Sequence, residues 1–152
     1  MQTSAPLPLP PTIAQRQQQL VEEFATLQGS RTLLLQHPMA LGQQLPAVPQ
    51  GQRSEANAIE GCLSRVWLTH SLVQGRLVLG ADSDALITKG LLSLLVRLFS
   101  GQKPADILSA ALTFMKASPL GQLIGAQRRS GFDAAYRRIR VLAKAYSQGR
   151  AA

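Results

Sequence analysis

Apolar residues first recur at helical spacing: Ile13, Leu20, Val21, Phe24 and Leu27 share a stripe, with Thr12 ahead of them as an N-cap. Gln28, Gly29 and Ser30 close that pattern, and Ser30 can cap a second helix running through Leu33, Leu34 and Leu35 to Leu41. Pro38 lies inside the second pattern; it has no amide to donate, so a kinked or divided helix is expected there. After a proline-rich loop at 45–51 the period shortens to two. A short extended run covers 55–61 and a second covers 64–73, in which Val66, Leu68 and His70 alternate with Trp67 and Thr69. Gln74 and Gly75 signal a tight hairpin into a third strand at 76–80, with Leu77 and Leu79 on one face and Val78 on the other. Strands joined so tightly are antiparallel, and a small sheet of this kind needs helices against one face to be stable.

The next run, Leu86, Ile87, Leu91, Leu92, Leu94, Leu95, Val96, Leu98 and Phe99, is apolar on nearly every side. That describes a central helix surrounded by its neighbours. It is too short to cross a membrane and is interrupted by Lys89 and Arg97. Asp82 or Ser83 is expected to cap it, Asp84 to sit in its first turn near the positive end of the dipole, and Gly101 to end it. Gly90 costs about 1 kcal/mol relative to alanine inside a helix, so a second backbone is expected against it, the arm carrying Cys62 being the candidate. Pro104 starts a short helix at 105–108, and another turn follows near Leu112, Phe114 and Met115. The last helix is predicted over 131–147, with Phe132, Tyr136, Ile139, Ala143 and Tyr146 as its inner seam and Arg137, Arg138, Arg140 and Lys144 largely outside it. The expected class is α+β, a small three-stranded antiparallel sheet packed by helices, as one domain at 12–150 behind a proline-rich, flexible tail at 1–11.

Composition narrows the chemistry. The chain has 152 residues, 45% of them hydrophobic, which is enough for a real core. The start has neither a basic segment nor a continuous apolar run, so it does not read as a secretory signal. One cysteine excludes an intramolecular disulfide and fits a reducing, cytoplasmic setting. The net charge of +8 suits nucleic acid or an acidic protein surface as partner. A nucleic-acid module built on the basic last helix is the alternative reading, supported by charge alone. His37, expected to be exposed beside Pro38, and His70, expected to be a structural histidine, give no zinc spacing with a lone cysteine. There is no Gly-rich phosphate loop and no base placed beside a nucleophile.

What stands out is Cys62, between the two extended runs. Gly61 marks a bend, and Glu60, Ser64 and Arg65 are polar neighbours unsuited to a deep core. A free cysteine is often a buried apolar filler. A thiol at a loop tip beside a cation such as Arg65 has its thiolate favoured. The residues alone leave both readings open.

The segment Gly61-Cys62-Leu63-Ser64-Arg65-Val66-Trp67-Leu68 resembles the Gly-Cys-x-Ser-x-Val-Trp stretch of the SufE family, the sulfur acceptors of cysteine desulfurases. Asp82-Ser83-Asp84-Ala85-Leu86-Ile87-Thr88-Lys89-Gly90-Leu91 resembles a second family block, and Leu41-Gly42-Gln43-Gln44-Leu45-Pro46 the stretch ahead of the cysteine. Arg128-Arg129-Ser130-Gly131-Phe132 is a weaker third match, because Gly125-Ala126-Gln127 stands where the family has proline and serine, and Arg129 is bulkier than the usual serine. The resemblance implies a sheet-and-helix fold shared with IscU-like scaffolds. It implies that Cys62 carries persulfide sulfur from a SufS-like cysteine desulfurase, activates that enzyme, and delivers the sulfur to a SufBCD-like iron–sulfur scaffold. It implies no cofactor on this chain, the pyridoxal phosphate belonging to the desulfurase, and no stand-alone catalysis. Arg128 matches the family arginine and would hold the cysteine loop, a surface salt bridge being the other reading; Asp84 matches a family acid, with a helix-start carboxylate as the other reading. Trp67 is expected to anchor the loop by packing.

Overall fold

The computed structural model describes residues 10–59 and 64–149. Helix α1 spans Ile13–Ala25 and opens on a capping box, in which Thr12 and Gln15 each bond the other's backbone amide. Its buried stripe is Ile13, Gln17, Leu20 and Phe24. Gln17 was not legible as a core position. Its Oε1 accepts from the amides of Thr113 and Phe114 at 2.8 and 2.9 Å, and its Nε2 donates to the Ala111 carbonyl at 3.0 Å. Both polar atoms of its side chain therefore have partners.

Helix α2 spans Arg31–Gln44, capped by Ser30 as expected. Of the kinked or divided helix expected at Pro38, the division does not occur: the helix runs on through it. The helix α3, Leu86–Phe99, packs closely against it at this point. A Cβ on Gly42 would lie 2.7 Å from the Gly90 amide nitrogen, and one on Gly90 would lie 2.6 Å from the Pro38 carbonyl carbon. Gly90 is thus explained by a second backbone, as the sequence suggested, but that backbone belongs to α2 and not to the Cys62 arm. Close helix packing there outweighs the amide that Pro38 lacks.

The sheet among the described residues has two strands, β1 (Val66–Val73) and β2 (Arg76–Ser83), antiparallel and in register from Val66 opposite Ser83 to Val73 opposite Arg76. Gln74 and Gly75, with φ of 51° and 77°, make the turn that the right-handed twist of a hairpin favours. The first extended run, expected at 55–61, is among the described residues only a bridge, Ala58 opposite Trp67. β2 also runs past Gly80, so Asp82 and Ser83 are strand residues and not helix caps; α3 starts after Ala85 with no side-chain cap. Asp84 accordingly stands outside the helix, and the groups expected to cap it bond elsewhere.

α3 is the centre of the core, with Leu91, Leu92, Leu94, Leu95, Leu98 and Phe99 fully buried between α2, β2, α1 and the last helix. The helices α4 (Pro104–Ser109), α5 (Phe114–Ala117) and α6 (Pro119–Leu123) close one end. α7 spans Ala126–Ser147 and so starts five residues before the expected position, since Ala126 to Ser130 includes good helix formers ahead of Gly131. Its inner face is Phe132, Ala135, Ile139, Leu142 and Ala143, with Tyr136 and Tyr146 at the margins. His37 is half-buried, not exposed: its Nε2 lies 2.7 Å from a Glu23 carboxylate oxygen, and Arg97 binds the same carboxylate through two nitrogens at 3.1 Å.

Candidate functional site

Cys62 lies outside the described residues, together with Glu60, Gly61 and Leu63. Its two flanks are described, and they are tied down by different means.

Upstream, residues 57–59 run along the outer edge of β1. The Ile59 amide donates to the Val66 carbonyl at 2.9 Å, and the Leu68 amide donates to the Asn57 carbonyl at 2.8 Å. The Ile59 side chain is buried in the core. Farther back the arm is fixed by Asp82, whose side chain is only 3% exposed. One carboxylate oxygen accepts from the Val48 amide at 2.9 Å and from Arg53 Nη2 at 2.9 Å; the other faces Lys89 Nζ at 3.3 Å and accepts from the Ser83 amide at 2.8 Å. Burial raises the Asp82 pKa, but the amides of Val48 and Ser83 and the Lys89 ammonium outweigh it and hold the carboxyl below its ordinary value. Arg53 also donates through Nε to the Val48 carbonyl at 3.2 Å, and its guanidinium lies over the Trp67 ring at 4.9 Å. Trp67 is therefore half-exposed under a cation, an anchor by stacking and not by burial.

Downstream, the chain re-enters at Ser64 and is hooked at Arg65. The Arg65 amide donates to Asp84 Oδ1 at 3.0 Å, and its carbonyl accepts from Ser83 Oγ at 2.7 Å and from the Asp84 amide at 3.3 Å. Asp84 thus acts on the backbone three residues after Cys62, although its own side chain is exposed. The Arg65 side chain is exposed and lines a cleft of about 340 Å³ with Arg53, Ser54, Glu55, Ala58 and Ile59 on one side and Ser64, Val66 and Trp67 on the other. The cleft therefore opens between the two flanks of Cys62, with two guanidinium groups beside it.

Arg128 lies in the first turn of α7 with an exposed side chain, and it is not among the residues lining this cleft. Of the basic residues beyond it, Arg138 donates to the Ala56 carbonyl at 2.9 Å and so ties the arm to α7; Arg140 donates to the Leu108 carbonyl at 3.2 Å. His70 shares a 2.9 Å hydrogen bond with the Tyr146 hydroxyl. Burial, and then the nearby Arg138 charge, push its imidazole below the ordinary range, so it is a neutral structural histidine at pH 7. Asp84 and Arg65 were legible in the sequence. Arg53, Asp82 and Arg138 were not legible in these roles; the one available signal was Ala81, which continues the buried Leu77–Leu79 alternation and carries β2 on to Asp82.

Among the described residues no three His, Cys, Asp or Glu side chains gather as a metal site, and no helix is long and apolar enough to cross a membrane. The fold is similar to the solution structure of a hypothetical protein from Thermus thermophilus, at a TM-score of 0.73 and 20% identity, covering 88% of this chain and 96% of that one. A family model described as SufE, Fe-S metabolism associated domain, matches residues 18–143, a span that contains the cleft, both flanks of Cys62 and nearly all of α7. On that match the chain belongs to the SufE family, whose domain is associated with iron–sulfur metabolism.

Proposed function

We propose that this protein is a sulfur acceptor and carrier, taking persulfide sulfur from a cysteine desulfurase onto Cys62 and passing it to an iron–sulfur scaffold. The observation that carries the reading is a pair of tethered flanks, ending at Ile59 and resuming at Ser64, that line one cleft and in sequence bracket the lone cysteine of a chain that belongs to an iron–sulfur metabolism family. The Cys62 thiolate attacks the terminal sulfur of the donor's persulfide; a new S–S bond forms to Cys62, the donor's S–S bond breaks, and the donor cysteine leaves as a thiolate. The proton on the terminal sulfur travels with it, so no oxidant or reductant is consumed. Arg53 and Arg65 supply positive charge beside the cleft, which favours the anionic sulfur at each stage. Emptying the donor's persulfide frees it for another turnover, which makes the acceptor an activator. The pyridoxal phosphate chemistry belongs to the donor, and the acceptor works in a reducing compartment such as the cytoplasm.

The test is incubation with a SufS-like desulfurase and cysteine, followed by intact-mass and peptide mass spectrometry. One added sulfur on Cys62, removed by a thiol reductant and absent in Cys62→Ser, is the expected result. A Cys62 that stays unmodified while the desulfurase turns over would overturn the reading.

A further inference from the structure

A two-stranded sheet has two outer edges, and the described residues cover part of each. β2 is covered by the end of α3: the Leu77 amide donates to the Gln102 carbonyl at 2.9 Å, the Gly101 amide to the Leu77 carbonyl at 2.7 Å, and the Leu79 amide to Ser100 Oγ at 3.0 Å. β1 is covered at Val66 and Leu68 by residues 57–59. Beyond Leu68 the arm turns away through 54–57, and His70 and Leu72, whose backbone groups point to the same outer edge, have no backbone partner there among the described residues. An open edge next to a groove is where an extended segment of another protein can add a strand.

The groove is present. A cavity of about 780 Å³ lies between this edge and α7, lined by Asn57, Thr69 and His70 on the sheet side and by Arg138, Val141 and Ala145 on the helix side. A second, of about 410 Å³, shares Arg138 and Val141 and reaches Ile59, the last described residue before Cys62. Val141 is 63% exposed between them, and Leu72 and Val73 at the strand end are 44% and 52% exposed. Along α7, Arg137 and Lys144 are exposed and Arg138 is half-exposed, while Glu55 is the acidic residue lining the trough.

We propose that the open edge of β1 at His70–Leu72 and the trough over Val141 form a docking surface for an extended, acidic segment of a partner protein. The segment adds a strand beside β1; its apolar side chains cover Val141 and Leu72, and its carboxylates meet Arg137, Arg138 and Lys144. The trough ends at Ile59, so a segment docked there lies against the upstream flank, three residues before Cys62 in the sequence. Resting on the sulfur-acceptor reading, we assign the segment to the sulfur donor.

The experiment measures binding of the SufS-like desulfurase by calorimetry, on wild type, Leu72→Pro and Arg137→Glu, beside persulfide loading of Cys62 at saturating donor. Leu72→Pro removes an amide that points away from β2, a place where an edge strand tolerates proline. Arg137→Glu reverses an exposed charge. Each variant is expected to keep its circular dichroism spectrum, to weaken binding about tenfold, and to leave the rate of Cys62 alkylation by iodoacetamide unchanged. Affinity that is unchanged in both variants, or no desulfurase binding at all, overturns the proposal. So does binding of RNA that is lost in Arg137→Glu while desulfurase binding is not. Weakened binding in the variants with no sulfur ever found on Cys62 would uphold the docking surface and sink the acceptor reading.

Discussion

Asp82→Asn tests the upstream tether directly. The substitution keeps the size of the side chain and removes its charge. Four donors converge on this carboxylate: the amides of Val48 and Ser83, Arg53 and Lys89. Asparagine can still accept at one atom, but its amide nitrogen must face a cation or a backbone N–H. Removing one partner of a buried ion pair costs about 3–5 kcal/mol. The Arg53 side chain is 34% exposed and can turn to water, which places the expected loss at the low end, about 3 kcal/mol. For a domain of this size that lowers the melting temperature by about 9 °C. The pH dependence is also fixed in sign. The folded carboxyl titrates below its ordinary value, so its stabilisation is complete above the unfolded pKa of about 3.9 and is lost as pH falls through the folded value. Urea unfolding of wild type and Asp82→Asn at a series of pH values is the assay. The gap between them is expected to be flat from about pH 5 to 8 and to shrink below about pH 4. A double-mutant cycle with Arg53→Met is expected to give a coupling of about 1 kcal/mol. A total loss under about 1 kcal/mol, or a gap that does not change in acid, would refute the account of Asp82 as the buried anchor.

Gly90→Ala gains about 1 kcal/mol of helix propensity but drives a methyl group into the Pro38 backbone, an overpacking cost of about 1–3 kcal/mol or more; urea unfolding is expected to show a net loss with no change in Cys62 alkylation. Asp84→Ala removes an exposed acceptor from the Arg65 amide, worth about 1 kcal/mol, and iodoacetamide is expected to modify Cys62 faster in the native protein. Gln17→Leu strands the amides of Thr113 and Phe114 and the Ala111 carbonyl, an expected loss of about 2–3 kcal/mol by thermal unfolding.

The elements with strong periodicity could be read from the chain alone. The α1 stripe, the alternation in β2, the Gln74-Gly75 turn and the all-round apolar run of α3 each follow from a local pattern, and the structure places them as expected. The misreadings share a cause. Asp82, Ser83 and Asp84 have good capping chemistry next to a helix, and only tertiary context shows their oxygens taken by Val48, Arg53 and Arg65. Pro38 looks like a helix breaker until the Gly42–Gly90 contact shows what keeps α2 continuous through it. Arg53 gives no signal at all: one cation in a polar loop becomes a hub only when Asp82 and Trp67 are folded against it. For the site, the sequence identified the cysteine and the family; the contacts that fasten its flanks to Asp82, Ser83 and Asp84 span about 18–34 residues and had no local signature.

The two fastenings are unequal, and the difference bears on the proposed transfer. The upstream flank is held by a buried carboxylate and the buried Ile59 side chain, contacts that cannot be released without disturbing the core, with the half-exposed Arg53–Trp67 stack beside them. The downstream flank is held at Arg65 by Ser83 and the exposed Asp84, where each hydrogen bond competes with water and is worth about 1 kcal/mol. A sulfur that is loaded by one protein and unloaded by another has to be presented and withdrawn without unfolding its carrier. A firm end and a yielding end suit that requirement, because the contacts at Arg65 cost less to release than those of the upstream flank. It follows that cutting the weak end and cutting the strong end should not look alike. Asp84→Ala should change how fast Cys62 reacts while hardly changing stability, and Asp82→Asn should lower stability first.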